Sequence, residues 1–154
     1  MNKRVMQFGA RNDTVTKAVS IPEQFPVRVI VHEAGRRWVD FVRDALRNHA
    51  IRVHHTATSS VCLRLIEQGG PVVIVAELGS DALATMELIA SLATKGSVAA
   101  MVIVIIASRT QAEFELPLRE LGAISFLVEP IAPREVADLV SSIARELQQL
   151  TTTL

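Results

Sequence analysis

From Val27 onward, short apolar runs rich in β-branched residues alternate with longer amphipathic stretches, the pattern of strands and helices taking turns around a parallel sheet. Val27 to Val31 predicts a first strand, and Arg36 to Asn48 a helix with Trp38, Val42, Ala45 and Leu46 along one side. Trp38 reads as packing. Ile51 to Ala57 sets Ile51, Val53 and His55 against Arg52 and His54, as a half-exposed strand near a sheet edge does. The next helix, capped by Ser59 or Ser60, should stop at Gly69 and Gly70. Val72 to Val75 is apolar without interruption, which suits a central strand covered on both faces. Ser80 or Asp81 opens a third helix bearing Leu83, Met86, Ile89 and Leu92, with Gly96 as its stop signal. Val102 to Ile106 predicts a fourth strand, and Thr110 to Leu121 a helix that Pro117 should leave short, kinked or irregular. Ser125 to Val128 makes a fifth strand, and Pro133 stands first in a last helix striped by Val136, Leu139, Val140, Ile143 and Leu147. Five cycles of this kind imply an α/β fold, a three-layer α/β/α sandwich.

With 154 residues, 49% of them hydrophobic, the chain suffices for one domain with a substantial core. Residues 1–25 show no sustained periodicity and carry Lys3, Arg4, Arg11 and Lys17 against Asp13 and Glu23, so they read as a flexible or loosely docked N-terminal arm. The folded domain is expected over residues 26–150, with 151–154 as a short tail. Sixteen basic residues balance sixteen acidic ones, and neither nucleic acid nor an anionic membrane is expected as a partner. The most apolar stretch, Val98 to Ala107, is far short of the roughly 20 residues that span a bilayer. A single cysteine, Cys62, excludes an internal disulfide and a zinc-type cysteine pair. Together with a polar start that lacks a secretory apolar run, this points to the cytoplasm.

In open parallel sheets the functional crevice lies beyond the carboxyl ends of the strands. Here the first strand ends in His32-Glu33, the third in Glu77, the fourth in Ala107-Ser108 and the fifth in Glu129-Pro130. The set resembles response-regulator receiver domains of the CheY-like kind. In that family an acidic pair follows the first strand, a phosphorylated Asp ends the third, a Ser or Thr ends the fourth and a Lys-Pro ends the fifth. Val29-Ile30-Val31-His32-Glu33, Pro71 to Glu77 and Phe126-Leu127-Val128-Glu129-Pro130 carry the likeness, at separations of 44 residues from Glu33 to Glu77 and 52 from Glu77 to Glu129. The resemblance covers about Val27 to Leu150. It implies a flavodoxin-like, five-stranded parallel sheet of order 2-1-3-4-5. It also implies a cis peptide bond before Pro130, and a switch role for the aromatic at Phe126, coupling the strand-end pocket to the surface of the fourth helix, fifth strand and fifth helix.

The departures from the family pattern change the expected function. Glu77 at the phosphoacceptor position extends the carboxylate by about 1.5 Å, one carbon–carbon bond, which spoils an in-line attack geometry. His32 replaces one carboxylate of the acidic pair, leaving Glu33, and Mg²⁺ prefers hard oxygen ligands. Glu129 stands where the family has its Lys, turning an attraction of about 4 kcal/mol at 4 Å into a repulsion of similar size. The hydroxyl position falls on Ala107 or Ser108. No catalytic residue and no cofactor or metal ion is expected, and the chain reads as a degenerate, pseudo-receiver signalling module rather than an enzyme. It should act through phosphorylation-independent contact with a protein partner of a two-component signalling pathway.

Because the chain ends soon after the last helix, a stand-alone module is expected. Leu116, Pro117, Leu121 and Leu127 could supply apolar area for a homodimer through the fourth helix, fifth strand and fifth helix. Two alternatives stay open: a small-ligand or metal-binding domain using the crevice around His32, Glu33, Glu77 and Glu129, and a receiver still phosphorylated on Glu77. Glu77 as a mimic of the phosphorylated state is a further variant. His54 and His55 are adjacent on a strand, so they point to opposite faces and do not chelate together. His49 is expected near a helix C-terminus. Cys62 reads as a buried small hydrophobe.

Overall fold

The computed structural model describes residues 26–95 and 100–152. Five parallel strands, β1 (Arg28–His32), β2 (Arg52–Thr56), β3 (Val72–Glu77), β4 (Met101–Ala107) and β5 (Ala123–Val128), form one sheet of order β2-β1-β3-β4-β5. The crossovers are α1 (Val39–Ala45), α2 (Ser59–Glu67), α3 (Ala82–Lys95) and α4 (Glu115–Glu120), and α5 (Pro133–Thr152) follows the last strand. Arg28 to His32 of β1 pair with Arg52 to Thr56 on one side and with Val72 to Ala76 on the other. The first and third strands therefore end at the same level, which brings His32, Glu33 and Glu77 together at one rim. The arm expected over 1–25 and the stop expected at Gly96 lie outside the described residues. Helix α5 runs on to Thr152, past the boundary expected at Leu150.

The continuous apolar strands explain the layering. Side chains alternate across a strand, so Val29, Val31, Val73 and Val75 face α1 and α5, while Ile30, Ile74, Ala76 and Ile105 face α2, α3 and α4. Each face is closed by helix stripes: Val42, Val136, Val140 and Leu147 on the first, and Ile66, Leu88, Ile89, Leu92 and Leu118 on the second. Complete burial of one such side chain stabilises by about 1.5–3 kcal/mol. Strand β2 has covered neighbours on one side only and is the half-exposed edge its alternation predicts.

Two local expectations need correction, and one holds. Neither Ser59 nor Ser60 caps α2. Thr58 stands at the cap, in extended conformation and without a side-chain hydrogen bond. His49 lies beyond α1, whose C-cap is Leu46, and belongs to the following turn. The segment holding Pro117 is short and irregular, as expected: α4 has 6 residues, with Pro117 third in it, within the first turn, where no intrahelical N–H bond is required, and a 3-10 helix over Arg109–Phe114 precedes it. Asp81 does cap α3, its Oδ1 accepting the Ala84 N–H at 3.1 Å, and Gly69 and Gly70 take positive φ just past α2.

Packing on both faces yields a direct expectation. Ile74→Ala should lower the unfolding free energy in a urea titration by about 2–5 kcal/mol, whereas Leu83→Ala, at a position 68% exposed, should stay within about 0.5 kcal/mol.

Candidate functional site

The strand-end crevice is organised by a buried carboxylate. Glu33, 2% exposed, accepts the backbone N–H of Arg37 at 2.9 Å on Oε1, of Val39 at 2.9 Å on Oε2, and of Trp38 on both oxygens at 3.1 and 3.2 Å. Arg37 and Trp38 lead into α1 and Val39 opens it, so these amides have no partner within the helix, and a negative charge at a helix N-terminus is favourable. The cap fixes the turn Ala34–Arg37 over the rim of the sheet. From β2, His55 Nε2–H donates to the Gly35 carbonyl at 2.6 Å and holds the same turn from its other side.

Held this way, the turn delivers two side chains that periodicity alone assigned to packing or to solvent. Trp38 is 1% exposed, and its indole N–H donates to Glu77 Oε2 at 2.9 Å. Arg37 forms an ion pair with Glu129, and its guanidinium carbon lies 4.3 Å from the centre of the Trp38 ring. Each of the three acidic strand-end positions is thus bonded within the chain: Glu33 to the start of α1, Glu77 to an indole, Glu129 to an arginine. The signals were available in the sequence. A buried tryptophan needs an acceptor for its N–H, and a glutamate in place of a lysine calls for a cation nearby.

The remaining strand ends differ from the family pattern in the same sense. Ala107 pairs with Val128, and the Glu129 N–H donates to the Ala107 carbonyl at 2.8 Å, so the residue beside Glu129 at the end of β4 is Ala107. Ser108 belongs to the 3-10 helix: its N–H donates to Gln111 Oε1 at 3.0 Å and its hydroxyl lies 2.9 Å from that of Thr110. Gln111 in turn donates to the Gly79 carbonyl at 2.6 Å, tying the β3–α3 loop to the β4–α4 loop. Phe126 is 8% exposed and packs in the core on the α2, α3 and α4 side. The Glu129–Pro130 peptide bond is cis.

His32, 7% exposed, shares a hydrogen bond of 2.8 Å between Nδ1 and the Thr56 hydroxyl. Burial, and secondarily the neighbouring His55, lower its pKa from the ordinary 6.5. The His54 pKa is lowered too, by burial first and then by Arg28, Arg52 and Arg43, and its Nε2 is buried without a partner. Burial pushes the Cys62 thiol up to about 11 against an opposing hydrogen bond from Thr56. The residues present do not fit the Mg²⁺ ion of receiver domains. The oxygens of Glu33 are taken by amide donors, and His32 offers a nitrogen. Among the described residues, no group of three or more His, Cys, Asp or Glu side chains could hold a metal ion. A cavity of about 260 Å³ remains beside the turn, lined by His32, Glu33 and Glu77 but not by Glu129.

No family model and no curated protein matches the sequence. Solved structures do. A signal receiver domain from Vibrio parahaemolyticus superposes with a TM-score of 0.65 at 16% identity, over 84% of this chain and 97% of its own. A CheY-like response regulator receiver domain protein from Methanospirillum hungatei gives 0.63 at 10% identity, over 83% and 98%. The chemotaxis response regulator CheY4 of Vibrio cholerae gives 0.63 at 16%, over 78% and 99%.

Two measurements probe this geometry. Glu33→Gln replaces one acceptor oxygen by an NH₂ group facing amide donors and should cost about 1.5–3 kcal/mol in urea unfolding, with weakened amide protection in the first turn of α1. The lowered pKa values of His32 and His54 mean that the unfolded chain binds more protons below about pH 6.5, so stability is full above that value and falls as pH drops through it. The urea midpoint should therefore be lower at about pH 5.5 than at about pH 7.5, and His32→Asn should flatten part of that slope. The sheet order, the helices on both faces and the agreement with these structures give the chain the fold of response-regulator receiver domains.

Proposed function

We propose that the chain is a pseudo-receiver: a signalling module that works by constant contact with a protein partner and does not pass through an aspartyl-phosphate-like state. The observation that carries this reading is the internal bonding of Glu33, Glu77 and Glu129. Phosphoryl transfer to Glu77 would draw charge from the carboxylate that accepts the Trp38 indole N–H, require Mg²⁺ to displace amide donors from Glu33, and set a negative Glu129 facing the incoming phosphoryl group. Each of these steps is unfavourable, and they must occur together. No cofactor, metal ion or catalytic group has a part in this function. The same bonding argues against Glu77 as a phosphoryl mimic, because its charge is answered by the indole and not by a mobile switch residue.

Recognition falls to the surface of α4, β5 and α5. Leu116 is 67% exposed, Ile124 53% and Val128 36%, so apolar area on α4 and β5 faces outward. Leu121 and Leu127, expected at this surface, are half-buried against the two cores and contribute less. The surface suits a second copy of the chain or a partner from a two-component pathway, in the cytoplasm. The described residues include no helix long and apolar enough to cross a membrane.

The test is an amide NMR titration with Mg²⁺ followed by beryllofluoride, which stands in for a phosphoryl group on the acceptor carboxylate. Amides near Glu77, Phe126 and Glu129 should stay in place. Concerted, saturable shifts there would identify a working receiver and refute the proposal. For the recognition surface, Ile124→Asp should abolish any concentration-dependent rise in mass by light scattering while leaving the thermal transition in place.

A further inference from the structure

Arg28 and Arg52 open β1 and β2 and are register partners, so both side chains leave the same face of the sheet, the one covered by α2. They stand at the amino ends of the strands, opposite the crevice. With Pro26, Gln68 and Gly69 they line a cavity of about 120 Å³, the room of about four waters at roughly 30 Å³ each. Arg28 is 7% exposed. Its Nη1 donates to the Leu65 carbonyl and its Nη2 to the Gly69 carbonyl at 2.7 Å, where a cation offsets the C-terminal dipole of α2. Two of its five N–H groups are used in this way. Arg52 is exposed, and none of its donors is engaged among the described residues. No carboxylate lines the cavity. Like charges side by side on neighbouring strands repel, so the pair is unfavourable unless an anion joins it.

A second observation falls on the same face. His54 stands two residues on from Arg52, and its Nε2 is the one buried side-chain polar atom without a hydrogen-bond partner among the described residues. Burial lowers its pKa first, then Arg28, Arg52 and Arg43, so the positive field of the pair reaches the ring. Buried polar atoms are nearly always paired, and this one calls for a partner within that field. Charge sets the class of ligand. Two cations without a carboxylate select an anion, guanidinium forks match the oxygens of a phosphate, and a double charge answers both arginines where a monocarboxylate answers one.

We infer that this cavity binds a phosphate group, with Arg52 and the free N–H groups of Arg28 donating to its oxygens and the Gln68 amide beside them. The inference goes beyond the pseudo-receiver reading and is independent of it, because the site lies at the opposite end of the sheet from Glu33, Glu77 and Glu129.

The experiment is an NMR titration of the full chain with inorganic phosphate and with glycerol 3-phosphate at constant ionic strength, with acetate and chloride as comparisons. Saturable shifts centred on Arg28, Arg52, Gln68 and Gly69 are expected, half complete between about 1 and 10 mM phosphate, weaker with acetate and absent with chloride. Arg52 is exposed, so Arg52→Gln leaves α2 and its Arg28 cap in place. That variant should weaken phosphate binding about tenfold or more, with Arg52→Lys in between. The His54 ring supplies a readout that a merely structural arginine would not move. Its pKa should rise on saturation with sulfate, a tetrahedral dianion whose charge is constant over the titrated range, because the bound anion offsets the arginines that lower it. In Arg52→Gln that response should shrink. Tighter binding of glycerol 3-phosphate assigns the site to a phosphomonoester, and tighter binding of inorganic phosphate to the free ion; both support it. Shifts spread over the surface, an equal response to chloride or acetate, or undiminished binding in Arg52→Gln would overturn the inference.

Discussion

The arrangement of this crevice depends on one buried carboxylate. Glu33 gathers the amides of Arg37, Trp38 and Val39 at the start of α1, and with His55 and the Arg37–Glu129 ion pair it holds the turn Ala34–Arg37 over the sheet. The position of the turn decides where the indole of Trp38 and the guanidinium of Arg37 fall, and those two groups bind Glu77 and Glu129. One acceptor at the end of β1 thus propagates to the ends of β3 and β5, the strands on either side of β4. In this chain the Glu33 carboxylate is a structural element.

The Arg37–Glu129 pair shows how an acidic residue at a strand end can be absorbed by the fold. A glutamate beside two other strand-end acids would repel them across a poorly solvated rim. Arg37 answers it from a loop, and the flat face of Trp38 lies under the same guanidinium. Planar, permanently charged arginine suits such a double contact better than lysine would. The Arg37 cation thus comes from the loop after the first strand and is directed to Glu129 at the end of the fifth.

Much of the fold was legible because it rests on local rules. Uninterrupted runs such as Val72 to Val75 can only be buried from both sides, and Pro133 and Gly69-Gly70 punctuate helices by backbone chemistry alone. The polar residues at the strand ends were legible for the same reason: a strand that ends in His32-Glu33 or Glu129 reaches water or a site. What escaped was direction. Periodicity puts Trp38 on the buried side of a helix but does not say that its N–H points at Glu77, 39 residues away. Whether Ala107 or Ser108 faces the crevice depended on a one-residue register that only the pairing with β5 resolves. The cap of α2 failed similarly, since Thr58, Ser59 and Ser60 are chemically equivalent candidates and the backbone chose among them.

Trp38 is the only tryptophan in the chain, and there is no tyrosine. Near-ultraviolet absorption and emission of this protein therefore come almost wholly from one indole, seated between a carboxylate and a guanidinium in the crevice itself. Its fluorescence is an intrinsic optical gauge of that turn. Loosening of the Glu33 cap would let water reach the ring and move the emission to longer wavelength, with no label attached and at concentrations far below those of NMR. The group bonded to Glu77 is also the one that reports, in real time, whether the turn is in place.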